Sequence, residues 1–212
     1  MTHLYLIRHA DYIYAEQDGK KRDLGLSPAG IAQAERLRDR LARSGEIKPD
    51  VFIASTERGA QETAQIVAPV FATPLLSDAD VEEWRSEDGS FSTEEFMQRW
   101  HQLPETQKPF YRWIEGYENW VEFSARAQIA LNRIVQEHAG KTIVLLTHGG
   151  VIQASFEYFF GYGLATMQRT TLTTKNTGIT HWLQPDGSSK WVLERFNDYH
   201  HLCCCPASSA FA

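Results

Sequence analysis

Short apolar runs alternate with longer amphipathic stretches along most of the chain. Uninterrupted apolar runs are typical of strands that are buried on both faces of a parallel sheet. They predict strands at residues 3–8, 51–54, 75–76 and 143–146, and a closing pair of strands at residues 179–183 and 191–196. The longer stretches keep a helical spacing of apolar positions, which predicts helices at residues 27–43, 59–70, 120–138 and 151–160.

Two segments break this alternation. Residues 9–26 contain Gly19 and a lysine pair, and they predict a polar loop after the first strand. Residues 84–118 are rich in aromatic side chains and have little strand character. This second segment predicts a mainly helical insertion beside the core.

The order of these elements predicts a single α/β domain over residues 1–202. Strands and helices alternate before and after the insertion, which favours a three-layer α/β/α arrangement around a mostly parallel central sheet. We expect the last residues, 203–212 (CCCPASSAFA), to form a disordered tail.

Charge and cysteine content narrow the choice of partners. The 212 residues carry a formal net charge of −6, which disfavours nucleic acid and anionic membranes as partners. The three cysteines are consecutive, at residues 203–205, so they offer no disulfide framework and cannot easily converge on one metal ion. No apolar stretch approaches the length of a membrane span, and we read no signal peptide before the first strand. We therefore expect a cytoplasmic protein.

Charged and polar side chains stand where the predicted parallel strands end. Arg8 and His9 end the first strand, Arg58 follows the second, and His148 ends the central one. Taken singly, each is more simply explained as a structural ion-pair partner or a core histidine. Ligands of open α/β sheets bind beyond the carboxyl ends of the strands. We therefore expect these two arginines and two histidines to meet at one edge of the sheet.

Such a cluster suits phosphoryl transfer. Guanidinium groups match phosphate oxygens, and a histidine can donate a hydrogen bond or attack phosphorus as a neutral nucleophile. The leaving alcohol needs a proton, and Glu82 and Glu83, after the third strand, are the available carboxylic acids. Because successive side chains of an extended segment alternate in direction, we expect only one of the two to reach the site.

Four segments resemble the motifs of the histidine phosphatase superfamily, whose fold is also called phosphoglycerate mutase-like. LIRHAD at residues 6–11 resembles its arginine-histidine-glycine signature, and LSPAGIAQAERL at residues 26–37 resembles the start of its first helix. ASTERGAQETAQIV at residues 54–67 resembles its serine-x-x-x-arginine-alanine-x-x-threonine-alanine segment. LLTHGGVI at residues 145–152 resembles its second histidine-glycine motif. The order and spacing of the motifs agree with the family pattern.

This resemblance implies a role for each matching residue. His9 would be the nucleophile that becomes phosphorylated, and Arg8, Arg58 and His148 would bind the phosphoryl group. Glu83 would be the proton donor, with the preceding glutamate in its place if the register is shifted by one residue. The resemblance implies no metal and no organic cofactor.

Departures from the family patterns leave the substrate open. Ala10 replaces the glycine after the histidine, and Ala15 stands where many mutase-type members carry an asparagine that contacts substrate. The stretch EEWRSEDGSF lacks the tryptophan-glutamate-glycine continuation of the broad phosphatase branch. We expect a phosphomonoesterase that acts on a phosphorylated small molecule, with a phosphoglycerate mutase as the nearest enzymatic alternative.

Two other classes of protein fit the same residues. A non-catalytic module would use the arginines to bind a phosphorylated ligand. A metal hydrolase would use His9, His148 and a carboxylate as ligands, although neighbouring arginines would repel the cation. The sequence also leaves the oligomeric state open between a monomer and a homodimer.

Overall fold

The computed structural model describes residues 1–17, 20–86, 88, 90–161 and 172–203. The described strands are β1 (Thr2–Arg8), β2 (Tyr12–Gln17), β3 (Lys20–Leu26), β4 (Val51–Ser55), β5 (Leu75–Asp78), β6 (Thr142–Thr147), β7 (Ile179–Gln184) and β8 (Val192–Asp198). The described α-helices are α1 (Pro28–Ser44), α2 (Arg58–Val67), α3 (Thr93–Gln102), α4 (Trp120–Glu137) and α5 (Gly149–Phe160). Short 3₁₀ turns lie at Ala68–Val70, Ala79–Val81, Lys108–Phe110 and His200–Leu202.

The central sheet has the strand order β5-β4-β6-β1-β7-β8. Strands β5, β4, β6 and β1 run parallel to one another, and β7 is antiparallel to both β1 and β8. The predicted mostly parallel sheet is therefore confirmed. The register pairs Arg8 of β1 with Thr147 of β6, so these two strands end side by side.

Helices cover both faces of the sheet. In β1, Leu4 and Leu6 pack with residues of α4 and α5, whereas Tyr5 and Ile7 pack with residues of α1 and α2. Successive strand side chains point to opposite faces, so a run of apolar residues supplies both layers at once. The structure thus has the predicted helix, sheet and helix layers.

Helix α1 begins and ends where the sequence predicts. The Ser27 hydroxyl accepts a hydrogen bond from the Gly30 N–H at 2.9 Å, and Pro28 occupies the first helical position. Gly45 follows the last turn with a φ of 58°, and its N–H donates to the Leu41 carbonyl. A residue without a Cβ adopts this left-handed conformation at little cost, so the glycine ends the helix.

The prediction of a polar loop at residues 9–26 is wrong. Strands β2 and β3 form a separate two-stranded antiparallel sheet there, with a bulge between Tyr12 and Tyr14. The sequence pattern does not reveal these strands, because they contain many charged residues and a two-stranded hairpin on the surface needs no apolar run. The tip of the hairpin, residues 18–19, lies outside the described residues.

The insertion is less helical than predicted. Its described part contains α3 and the 3₁₀ turn Lys108–Phe110, and the remaining described residues follow irregular backbone. Aromatic rings pack against one another in this insertion. The centroid of the Trp113 ring lies 4.1 Å from that of Phe96 and 6.1 Å from that of Trp100. Trp84 packs edge-on against Trp100, with a centroid distance of 5.9 Å. Large rings hold irregular backbone together without helical periodicity, which is why a helix prediction from composition overshot.

The predicted tail, residues 203–212, lies outside the described residues except for Cys203, which is exposed. Among the described helices, none combines the length and the apolar character needed to cross a bilayer.

Candidate active site

The two motif histidines meet where β1 and β6 end. The His9 N–H donates to the Thr147 carbonyl at 2.8 Å, which continues the pairing of the two strands by one step. The rings of His9 and His148 lie 4.9 Å apart between centroids. Parallel neighbours in this register therefore bring together two residues that are far apart in the sequence.

His9 is buried and oriented by backbone contacts. Its Nδ1 lies 2.7 Å from the Ala10 carbonyl oxygen, and the Asn176 side chain donates to the His9 carbonyl at 3.0 Å. A carbonyl oxygen can only accept, so Nδ1 carries the proton and Nε2 keeps its lone pair. Burial lowers the pKa of His9 to about 4, so the ring is neutral at pH 7.

Arg8 presents an unused donor beside the histidines. Its Nη1 donates to the Thr174 carbonyl at 2.5 Å. Its Nε is buried and has no hydrogen-bond partner among the described residues. An unmade hydrogen bond at a buried donor costs about 1–3 kcal/mol, so a bound anion would relieve this cost.

Glu83 lies near Arg8, beside the first residue of α5. A Cβ built on Gly149 would be 3.8 Å from Arg8 Nε and 3.9 Å from Glu83 Oε2. The carboxylate accepts hydrogen bonds from the N–H groups of Gly150 and Trp84, each at 3.0 Å. Burial raises the pKa of Glu83, although both N–H donors and the charge of Arg8 oppose this. Burial therefore favours the protonated form of this carboxyl.

The adjacent Glu82 points elsewhere. Its Oε2 accepts a hydrogen bond from Arg85 at 2.8 Å, and its Oε1 contacts the Thr56 hydroxyl. Glu82 and Glu83 thus follow the expectation that only one of the two carboxylates turns toward the strand ends.

His148 begins α5 and is held from the β4 side. Its Nε2 lies 2.8 Å from the Ser55 hydroxyl oxygen and 3.7 Å from the Glu57 carboxylate. Burial lowers the pKa of His148 well below its ordinary value, and the nearby His9 and Arg8 act in the same direction. In the empty site this ring is therefore neutral at pH 7.

Arg58 is not brought to the two histidines. Its side chain is 56% exposed, and its Nε donates to Glu62 at 2.7 Å, four residues later in α2. The same Nε lies 2.9 Å from a Cβ built on Gly25. Its guanidinium therefore faces Gly25 and Glu62, and its role as a phosphate ligand stays a prediction.

The motif register explains this placement. Counted from Ser55, the serine-x-x-x-arginine-alanine-x-x-threonine-alanine pattern keeps its register at three later residues, Ala60, Thr63 and Ala64. Its arginine position falls on Gly59, one residue after Arg58. One residue along a helix is a rotation of about 100°, so the two positions face different directions.

Position 59 is the one that faces the surroundings of His9. A Cβ built on Gly59 would contact Tyr12 Cβ at 3.5 Å, and the Tyr12 ring packs edge-on against His9 at 4.9 Å. The Gly59 N–H donates to the Asp23 carboxylate at 2.8 Å. A carboxylate therefore occupies the first turn of α2, close to the histidine.

Several residues of this site escaped the sequence analysis. Glu57 stands in the strand-end segment STER, and its Oε1 accepts the Glu83 N–H at 2.8 Å. Burial raises the pKa of Glu57 to about 7, and the charges of Glu83 and Glu82 add to this effect. Thr174 and Asn176 come from the segment before β7 and carry no motif that marks them. In the part of the chain that the structure describes, no group of three or more His, Cys, Asp or Glu side chains is arranged to hold a metal ion.

The α/β/α fold and the histidine pair at its sheet edge define a phosphoglycerate mutase-like protein. Residues 4–199 match the family model of the histidine phosphatase superfamily, branch 1. The chain therefore belongs to this superfamily, as the motif resemblance predicts.

Among the relatives that match the chain, some are named as mutase-like proteins and others as phosphatases. The chain is 30% identical over 187 residues to phosphoglycerate mutase-like protein 4 of Arabidopsis thaliana, covering 85% of this chain and 77% of that protein. It is 23% identical over 214 residues to the metal-independent phosphoserine phosphatase of Arabidopsis thaliana, covering 95% and 84% of the two chains. The solved structure of Bacillus stearothermophilus YhfR matches with a TM-score of 0.73 and 24% identity, over 95% of this chain and 99% of that chain.

Proposed function

We propose that the protein is a phosphatase that hydrolyses a small phosphate monoester through a phosphohistidine at His9. The observation that carries the proposal is the buried neutral ring of His9, whose Nδ1 is held by the Ala10 carbonyl. Its Nε2 is then a fixed nucleophile that needs no prior deprotonation.

In the first step, His9 Nε2 attacks phosphorus, the Nε2–P bond forms and the bond from phosphorus to the ester oxygen breaks. Glu83 gives its proton to that oxygen, which leaves as an alcohol. In the second step, the Glu83 carboxylate takes a proton from a water molecule whose oxygen attacks phosphorus. The Nε2–P bond breaks, inorganic phosphate leaves, and both residues return to their starting states.

Positive groups around His9 stabilise the charge on the phosphoryl oxygens. Arg8 Nε is the buried donor without a protein partner, and it suits a phosphoryl oxygen. His148 is neutral in the empty site, but a nearby dianion raises the pKa of an imidazole and turns it into a charged donor. The N-terminus of α5 adds the favourable end of a helix dipole.

The choice of a phosphatase draws on the comparisons as well as on the site. One relative is named a metal-independent phosphoserine phosphatase, which supports hydrolysis of a small phosphate ester without a metal ion. A second candidate is a phosphoglycerate mutase, favoured by the 30% identity to a mutase-like protein. Ala15, at the place of the mutase asparagine, favours the phosphatase.

The test is phosphate release from a panel of phosphate monoesters, including phosphoserine, β-glycerol phosphate and p-nitrophenyl phosphate, in the presence of EDTA. Release that persists in EDTA and is blocked by vanadate supports the proposal. Interconversion of 2- and 3-phosphoglycerate without phosphate release supports the mutase instead. Stoichiometric binding of a phosphate ester with neither reaction points to the non-catalytic module.

A pair of histidine variants tests the nucleophile. His9→Ala is expected to abolish both turnover and the acid-labile phosphoenzyme that a quenched reaction traps. His101→Ala changes an exposed histidine of α3 and is expected to leave both unchanged. Full activity of His9→Ala would sink the proposal.

A further inference from the structure

The guanidinium group of Arg126 lies next to Glu83, and every one of its N–H groups donates a hydrogen bond to the protein. Arg126 lies in α4, and its side chain is 13% exposed. Its Nη1 donates to the carbonyl oxygens of Asp80 and Glu82 at 2.9 and 3.1 Å, and its Nη2 donates to the Glu83 carbonyl at 3.0 Å. Its Nε and Nη2 also bind the two Glu118 carboxylate oxygens at 2.6 and 2.8 Å. These contacts satisfy all five donors of the group.

Glu118 extends the contact to the residues that follow Glu83. The Glu118 N–H donates to the Arg85 carbonyl at 2.9 Å, and the Glu118 carbonyl accepts from Trp84 Nε1 at 3.0 Å. Its carboxylate also accepts the Arg85 N–H at 3.3 Å. Arg126 and Glu118 therefore hold the backbone before, at and after Glu83.

The segment that they hold has no regular structure of its own. Residues 82–86 lie in neither a helix nor a strand, so no ladder of backbone hydrogen bonds fixes them. Carbonyl groups that lack a ladder need other partners, and here the guanidinium donates to the carbonyls of Glu82 and Glu83. The direction of the Glu83 side chain depends on this backbone.

We propose that Arg126 and Glu118 are positioning residues, which form a clamp that aims the Glu83 carboxyl at the oxygen of the leaving group. The inference deepens the proposed function and rests on it, because the position of Glu83 matters to the rate only if Glu83 delivers the proton. A charged residue in an amphipathic helix is usually solvated, so the sequence pattern does not mark Arg126 as part of the site.

Lysine at position 126 tests the geometry while keeping the charge. A lysine ammonium has three donors on a flexible stem, so it cannot replace the five donors of a planar guanidinium. Arg126→Lys therefore retains a positive charge near Glu83 but loosens the backbone that carries it. A displacement of about 1 Å in a catalytic group can cost about 10²-fold in rate.

The readout is kcat/KM for two substrates that differ in their leaving group. This ratio reports the first step alone, and not the hydrolysis of the phosphoenzyme, which is the same for both substrates. The alcohol of β-glycerol phosphate leaves poorly without a proton, whereas p-nitrophenolate leaves readily as the anion. A misplaced acid therefore slows the first substrate far more than the second. We expect Arg126→Lys and Glu118→Gln to lower kcat/KM for β-glycerol phosphate by about 10- to 100-fold, with little change in kcat/KM for p-nitrophenyl phosphate.

Two further variants make the outcome decisive. Glu83→Gln serves as the reference and is expected to show the same selectivity with a larger loss. Arg133→Lys, in the same helix, changes an arginine paired with Asp78 at 2.7 Å and is expected to leave both rates unchanged.

Each outcome separates the clamp from the proposed function. If Glu83→Gln lowers kcat/KM for the two substrates equally, Glu83 is not the acid and the proposed mechanism fails along with the clamp. If Glu83→Gln is selective but Arg126→Lys and Glu118→Gln are not, the clamp is overturned and the proposed function stands. Failure of both clamp variants to fold would assign the pair to domain stability and would also overturn the inference.

Discussion

The N–H of Glu83 donates a 2.8 Å hydrogen bond to Oε1 of Glu57, and the same oxygen lies 3.7 Å from Nε2 of His148. Glu57 therefore connects the residue proposed to protonate the leaving group with a residue proposed to bind the phosphoryl group. Burial and the charges of neighbouring carboxylates raise the pKa of Glu57 to about 7. The charge of the Glu57 carboxyl, which contacts both Glu83 and His148, thus changes near neutral pH.

Glu57→Gln is expected to stabilise the folded protein more at pH 8 than at pH 5. The pKa of the Glu57 carboxyl is about 7 in the folded protein, against an ordinary value of 4.5 for a glutamate. The folded state therefore binds more protons than the unfolded state between these values, so the wild type loses stability as the pH rises through this range. Glutamine does not titrate, and the difference in Tm between variant and wild type should increase with pH.

An exposed glutamate supplies the control for this measurement. Glu35→Gln, in α1, removes a carboxylate that is open to solvent. Its effect on Tm should change little between pH 5 and pH 8. If the difference in Tm between Glu57→Gln and the wild type is equally independent of pH, the raised pKa of Glu57 is contradicted.

Gly150→Ala should move the Glu83 carboxyl away from the leaving group. A Cβ at this position would lie 2.1 Å from Glu83 Oε1 and 2.8 Å from Phe123 Cζ, so the carboxylate must move. We expect kcat/KM for β-glycerol phosphate to fall by about 10²-fold, because the acid is displaced, while kcat/KM for p-nitrophenyl phosphate is spared. Rates for both substrates and the Tm check this prediction. Equal rates for variant and wild type would show that the reaction does not depend on this position of the carboxyl.

The framework of the site could be predicted from the sequence because each strand beneath it is a continuous apolar run. β4 (Val51–Ser55) and β6 (Thr142–Thr147) are such runs, and their carboxyl ends lie side by side in a parallel sheet. The hairpin over residues 12–26 could not be predicted in this way. Its second strand, KKRDLGL, has neither an apolar run nor a regular alternation, so only its pairing with the first strand in the folded chain reveals it.

The candidate site was most predictable where a residue directly follows a strand. His9 and His148 satisfy that rule, and their rings meet. Thr174 and Asn176 reach Arg8 and His9 from a distant segment, so tertiary packing alone places them. Glu57 stood among the strand-end residues, but the perturbation of its pKa depends on burial, which the sequence does not report.

The register of the second motif leads to a gain-of-function prediction at Gly59. The guanidinium of Arg58 is engaged with Glu62, whereas a side chain at position 59 would start in contact with Tyr12, whose ring packs against His9. The nearest atoms to a Cβ on Gly59 lie at 3.4 and 3.5 Å, so an arginine enters without a clash at its base. Gly59→Arg is expected to bring a second guanidinium to the phosphoryl group.

A hydrogen bond to a charged group contributes about 1.5–3 kcal/mol, so kcat/KM for Gly59→Arg should rise about 10- to 100-fold. The Asp23 carboxylate, already bonded to the Gly59 N–H, would pair with the new group and help to hold it in place. Gly59→Gln is the matched control, since it adds a long polar side chain without a charge and should raise kcat/KM much less. Arg58→Ala, measured beside it, should lower kcat/KM only slightly, because that guanidinium is exposed and paired with Glu62. A large loss in Arg58→Ala, with no gain in Gly59→Arg, would instead mean that Arg58 leaves Glu62 and turns to the phosphate when substrate binds.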